Sequence, residues 1–257
     1  MAVCRVGTAY SQQYYADLPD ILESYQRLIF RQRLECIDNA LRQLFLDYHV
    51  EDIFGVRLIH KHFPLNDDER MVQYGHTALP WDSKMAAARE LDGTILPSSW
   101  LFRDGVAHPY EFHYVPDHQR TSSGQPLDVE DFAAFFTAYR HWLGQNNLID
   151  VLGLFILQSE KRTNGWSEML EINLESSRAS VMFPQDAYGE DIPFNPFDVR
   201  DGEEVIVPAG WFFFKWDDPQ VDGCRHAKPK CKHKCRHGKK KEIANFRERY
   251  KVALWVQ

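Results

Sequence analysis

The chain predicts a single α+β domain, residues 1–257, with N-terminal and mid-chain helices packed on a mainly antiparallel sheet. Three observations carry that expectation. Apolar residues recur at helical spacing through the first fifty positions and again after Asp128. Between and beyond these stretches lie short segments of β-type alternation, divided by Pro, Gly, Asn and Asp. Helices followed by runs of short strands, without an internal repeat, favour segregated α+β architecture.

The elements follow in order. Leu18, Ile21, Leu22, Tyr25, Leu28 and Ile29 form one stripe, with Asp17 as N-cap and Pro19 in the first turn. Leu34, Ile37, Leu41, Leu44, Phe45 and Tyr48 continue it, and Cys36 within it reads as a small buried apolar residue. After His49 the texture predicts strands over 54–62, 70–74, 100–103 and 110–115, and a polar loop over 116–126. A second helix starts at the N-cap Asp128, presents Val129, Phe132, Phe135, Phe136, Tyr139, Trp142 and Leu143, and stops at Gly144. Strands resume over 151–157, 168–174, 179–183, 204–207, 211–216 and 247–256. Residues 217–245 then form a basic Cys/His-rich insertion loop within the final hairpin, of a length that is usually either functional or disordered, with bound metal one candidate for ordering it.

Composition bounds the rest. A chain of 257 residues with 44% hydrophobic and 14% aromatic residues buries a substantial core and excludes wholesale disorder. No apolar run approaches the ~20 residues of a membrane helix. The opening Met1-Ala-Val-Cys-Arg-Val-Gly7 offers no apolar stretch of a secretory signal. Both observations predict a cytoplasmic protein, with a basic strip that would also serve as a nuclear address. In a reducing compartment, clustered cysteines are ligands or free thiols more often than disulfides.

That strip contains Cys224-Arg225-His226, Cys231-Lys232-His233 and Cys235-Arg236-His237. Thiol and imidazole are the donors that zinc prefers, although these intervals match no standard structural zinc module. Nine of the 30 basic residues lie between Cys224 and Lys241, leaving 21 against 37 acidic residues elsewhere. The acidic body excludes a general nucleic-acid binder. The strip alone supports weak contacts with phosphate or acidic partners, or folding onto its own acidic body.

A second metal candidate lies in the strands. His60 and His62 stand two apart, as do Glu111 and His113, so each pair shares one strand face. Were the two strands neighbours, three histidines and one glutamate would meet in a site suited to a divalent metal, zinc first and iron second. The alternative is a solvated face, which Leu58 would share. The sequence offers no nucleophile elbow, Walker loop, H-E-x-x-H or Rossmann fingerprint, and assigns no catalytic residue. Residues 66–69 read as an acidic turn. Two function classes stay open. One is a metal-dependent enzyme using His60, His62, Glu111 and His113. The other is a non-catalytic binding or regulatory protein whose Cys/His loop holds zinc or docks acidic partners.

The run Gly55-Val-Arg-Leu-Ile-His-Lys-His-Phe63 resembles a family of uncharacterised fungal hypothetical proteins. Met71-Val-Gln-Tyr74, Pro80-Trp81, Ser99-Trp100, Glu111-Phe-His-Tyr114 and the aromatic segment before a Cys-rich tail extend the resemblance. It implies a soluble intracellular single domain in which the histidine pair and tail belong to the shared pattern. The order Gly55, His60, His62, Glu69, Gly75 also parallels the first cupin motif at altered intervals. Gly202, Pro208 and Gly210 fit the second, but Phe213 stands where its metal-binding histidine belongs.

Overall fold

The computed structural model describes residues 4–7, 9–31, 40–117, 128–157, 168–184 and 206–211. Its strands are β1 (Arg5–Val6), β2 (Phe54–Leu58), β3 (Arg70–Tyr74), β4 (Thr77–Trp81), β5 (Gly93–Arg103), β6 (Val106–Pro116), β7 (Leu152–Ile156), β8 (Glu168–Leu174), β9 (Ala179–Pro184) and β10 (Ile206–Trp211). Among the described residues they follow the order β6-β3-β4-β9-β8-β10-β2-β7-β5, and β5 pairs back onto β6. Nine strands therefore close into a barrel, with β1 added on β6 outside the ring. The β3–β6 and β1–β6 pairings are parallel and the others antiparallel, so the barrel is mixed. This corrects the expectation of helices packed on a mainly antiparallel sheet.

Closure depends on β6. One edge carries β5 along its length, from Gly93↔Pro116 to Arg103↔Val106. The other edge takes β1 at Val106 and Ala107 and β3 at Phe112 and His113. Asp104 and Gly105, at φ 51° and 81°, make the tight turn between β5 and β6. Asp-Gly suits the left-handed backbone of such two-residue hairpins. The register shifts on both sides of Ser99. Irregularities of this kind bend a strand pair and aid closure.

The helices are α1 (Gln12–Ala16), α2 (Ile21–Phe30), α3 (Arg42–Asp47), α4 (Ser83–Arg89) and α5 (Ala133–Gln145). Asp20, rather than Asp17, caps α2 by accepting from the Glu23 backbone N–H at 2.7 Å; Asp17 instead ends α1. Asp128 caps a 3-10 turn, Val129–Phe132, that leads into α5. The latter runs through Gly144, and Asn147 at φ 57° takes the left-handed position beyond its end.

The largest core joins the helices to the outer barrel wall. Phe54, Val56 and Leu58 of β2 point into it beside Tyr25, Leu28, Phe45, Phe135, Phe136 and Tyr139. The Phe54 ring meets Phe132, Phe135, Phe136 and Trp100 at centroid distances between 5.2 and 6.3 Å. Alternation sends Gly55 and Arg57 of the same strand inward. Opposite Gly55 lies Phe155, whose ring occupies the space a side chain at 55 would need.

The barrel belongs to a unit spanning Met1–Lys215. Cys36, most of the loop expected over 116–126, the Cys/His loop 217–245 and the strand expected over 247–256 lie outside the described residues. Among the described residues no helix is long and apolar enough to cross a membrane.

Two glycine substitutions test this packing with opposite signs. A Cβ at Gly55 would lie 2.6 Å from the Phe155 ring and 2.9 Å from the Trp211 carbonyl. Gly55→Val should cost about 2–3 kcal/mol in urea unfolding. A Cβ added at Gly144 would meet nothing within 4 Å, so Gly144→Ala should instead stabilise, by roughly 0.5 kcal/mol.

Candidate metal centre

Arg57 of β2, Glu111 of β6 and Glu171 of β8 meet although β6 and β8 stand on opposite sides of the ring. Side chains from opposite walls of a closed barrel meet only in its interior. Arg57 is 3% exposed, Glu111 4% and Glu171 0%. The guanidinium donates through Nη1 to the Glu111 carboxylate and to Ser99 Oγ at 3.1 Å. Through Nη2 it donates to Glu171 Oε2 at 3.0 Å. Ser99 Oγ donates in turn to Glu111 Oε2 at 3.0 Å, and Ser180 Oγ to Glu171 Oε1 at 2.9 Å. The guanidinium also lies 5.9 Å from the centroid of the Phe155 ring that covers Gly55.

The histidines enter from the segment after β2. Ladder pairing with β7 stops at Leu58, and the chain turns towards the N-terminal helices, where Lys61 N donates to the Pro19 carbonyl at 2.8 Å. The Tyr15 hydroxyl accepts the His62 backbone N–H at 3.1 Å. So held, His60 and His62 bring their rings edge to face, 4.8 Å apart. His60 Nε2 lies 2.8 Å from Glu171 Oε1, and its Nδ1 lies 3.0 Å from the Leu58 carbonyl. His62 Nδ1 lies 2.8 Å from the same Glu171 oxygen and 2.9 Å from Asn173 Oδ1. Its Nε2 lies 2.8 Å from Glu111 Oε1.

Burial opposes every charge here, and the partners outweigh it. Glu171 is held well below the usual carboxylate range: desolvation would raise it, but His60 and His62 prevail. Glu111 is lowered against the same desolvation, first by Arg57 and then by His62. Burial would depress the His62 imidazole, yet Glu171 and Glu111 lift it to about 10. Arg57 stays charged between the two carboxylates.

Of the residues expected in the strand site, His60, His62 and Glu111 share this network. Half-buried His113 pairs opposite Leu96 and Gln73 and does not belong to the convergent donor group. Among the described residues the atoms that converge, all within 4.8 Å of one another, belong to His60, His62 and Glu171. This group could hold a metal ion. The expected site is conditional on the two strands being neighbours; β7 and β5 stand between β2 and β6, and His62 reaches Glu111 across the interior. Cys224, His226, Cys231, His233, Cys235 and His237 lie outside the described residues. Glu171 escapes a sequence reading because its polar alternation with Asn173 resembles a solvent face. Arg57 gives a usable signal: a lone cation in an apolar strand needs buried anions.

Glu69, the fourth position of the cupin parallel, is engaged elsewhere. Arg178, at φ 46°, donates to its two oxygens at 2.6 and 2.8 Å and to the Pro64 carbonyl at 3.1 Å. The same guanidinium lies 5.6 Å from the centroid of the Phe63 ring, so it clamps the segment that follows His62. No protein-family model, curated protein or solved structure matches the chain, and the chemistry of the centre is read from its own geometry.

The clamp has a pH signature. Hydrogen bonds from Arg178 hold Glu69 down to about 2 from its ordinary 4.5. A lowered carboxylate stabilises the fold fully above its ordinary value, and that gain is lost as pH falls through the lowered one. Arg178→Met should therefore cost about 1 kcal/mol at neutral pH. The variant and wild type should converge in denaturant midpoint as pH falls from about 5 towards 2.

Proposed function

We propose that the barrel is a metal-binding protein whose cation is held by His60 Nε2, His62 Nδ1 and Glu171 Oε1. The carrying observation is the division of labour within each imidazole. One nitrogen of each ring lies 2.8 Å from the same Glu171 oxygen, His62 Nδ1 being also 2.9 Å from Asn173 Oδ1, while the other rests on a fixed acceptor: the Leu58 carbonyl for His60 and Glu111 for His62. Metal-ligating histidines are oriented in this way, donating their second N–H to a carbonyl or carboxylate. The two 2.8 Å nitrogen–oxygen separations would open only slightly. Donors on bonds of about 2.0–2.1 Å stand roughly 2.9–3.4 Å apart.

Two histidines and one carboxylate leave coordination positions for water or substrate. The set suits zinc, and it also matches the donors of non-haem iron centres. These positions are what an enzymatic role would use: a metal held there would supply Lewis acidity or activate water or dioxygen. This chain's own residues orient the rings through Leu58, Glu111 and Tyr15, and keep the carboxylates ionised, Glu111 through Arg57 and His62, Glu171 through the two imidazoles.

Elemental analysis of untagged full-length protein tests the reading. About one zinc or iron per chain is expected, and Glu171→Gln or His60→Gln should abolish it. Replacing Cys224, Cys231 and Cys235 together by Ser should leave that ion in place. Metal that survives Glu171→Gln, or follows the cysteines, overturns the proposal.

A further inference from the structure

We infer that Arg57 sets the metal selectivity of this centre, closing it to calcium and magnesium and leaving it to ions that accept nitrogen ligands. The inference rests on the metal reading above and concerns what the two buried carboxylates can offer. Two glutamates beside two imidazoles would, left free, present four oxygens. Arg57, Ser99 and His62 engage three of them, and the fourth, Glu171 Oε1, accepts from Ser180 Oγ at 2.9 Å on one side and faces the imidazoles on the other. Glu171 Oε2 receives Nη2, and Glu111 Oε2 is shared by Arg57 and Ser99. Glu111 Oε1 is taken by His62 Nε2. Only Glu171 Oε1 faces both remaining imidazole nitrogens.

Calcium takes about six to eight oxygens and often a bidentate carboxylate, and magnesium requires octahedral oxygen ligands. A centre with one carboxylate oxygen, two nitrogens and at most the neighbouring Asn173 amide oxygen, 2.9 Å from His62 Nδ1, falls short of either requirement. Zinc and its neighbours bind well to such a set. The fixed positive charge also offsets one carboxylate, weakening the attraction on which hard cations depend most. Arg57 can do this because it is held rigidly, with Phe155 against its guanidinium and two walls of the barrel at its ends. Lysine would not replace it. An ammonium is a point charge without the planar fork that engages two carboxylates at once.

Full-length wild type and Arg57→Lys, titrated with Zn²⁺, Ca²⁺ and Mg²⁺, decide the matter. In wild type, about a hundredfold excess of Ca²⁺ or Mg²⁺ should not displace Zn²⁺. In Arg57→Lys the affinity for Ca²⁺ relative to Zn²⁺ should rise about tenfold or more. Displacement in wild type, or an unchanged ratio in the variant, overturns the inference. If Arg57→Lys does not fold, the infrared difference spectrum of wild type on Zn²⁺ loading replaces it. A widely split carboxylate stretch marks one-oxygen coordination and supports the inference, and a narrow, bidentate splitting overturns it. Wild type that takes up no Zn²⁺ defeats the metal reading itself, and this inference with it.

Discussion

A guanidinium cannot shed its charge inside a protein, so the barrel is built around Arg57. Its desolvation is tolerable only if carboxylates reach it, and both that do come from walls on opposite sides of the ring. That requirement constrains the strands. A one-residue slip of β2 would turn Arg57 out among the aromatics of the helix layer and bring Phe54 and Val56 inward. The ion pairs thus act chiefly on which register is acceptable, while the apolar layer outside supplies most of the driving force.

This gives the wall two characters. On the helix side β2, β5 and β7 present Phe54, Val56, Trp100, Phe102, Leu152 and Leu154. Inside, the barrel holds arginine, glutamate, histidine and serine in mutual contact. Two carboxylates, one guanidinium and the rings of His60 and His62 face one another, so the interior is polar and its charges are paired. On the metal reading proposed above, a divalent cation would sit between the same groups.

Local physics made much of the fold legible. The stretches 70–74 and 168–174 are strands over their full expected length, and the aromatic stripe after Asp128 is a helix on the main core. Closure was not legible, because it depends on β6 accepting a parallel partner on one edge and its own hairpin partner on the other. The Asp104-Gly105 turn would have joined β5 to β6, but nothing local announces that β3 meets β6. The same blindness touched the site. Alternation of Glu171 and Asn173 is identical for a strand facing water and a strand facing a polar interior. Spacing singled out the histidine pair and Glu111, but its strand-face premise does not hold, since His60 and His62 lie beyond the end of β2 and His113 stays outside the group. Glu171 needed the ring to bring it in.

The most direct test is the stability of Arg57→Met beside a triple variant that also carries Glu111→Gln and Glu171→Gln. Stranding two buried carboxylates should lower unfolding stability by roughly 3–5 kcal/mol, and neutralising both should restore much of that loss. An Arg57→Met protein that unfolds at the wild-type denaturant midpoint would contradict the claim that the barrel is organised around this cation.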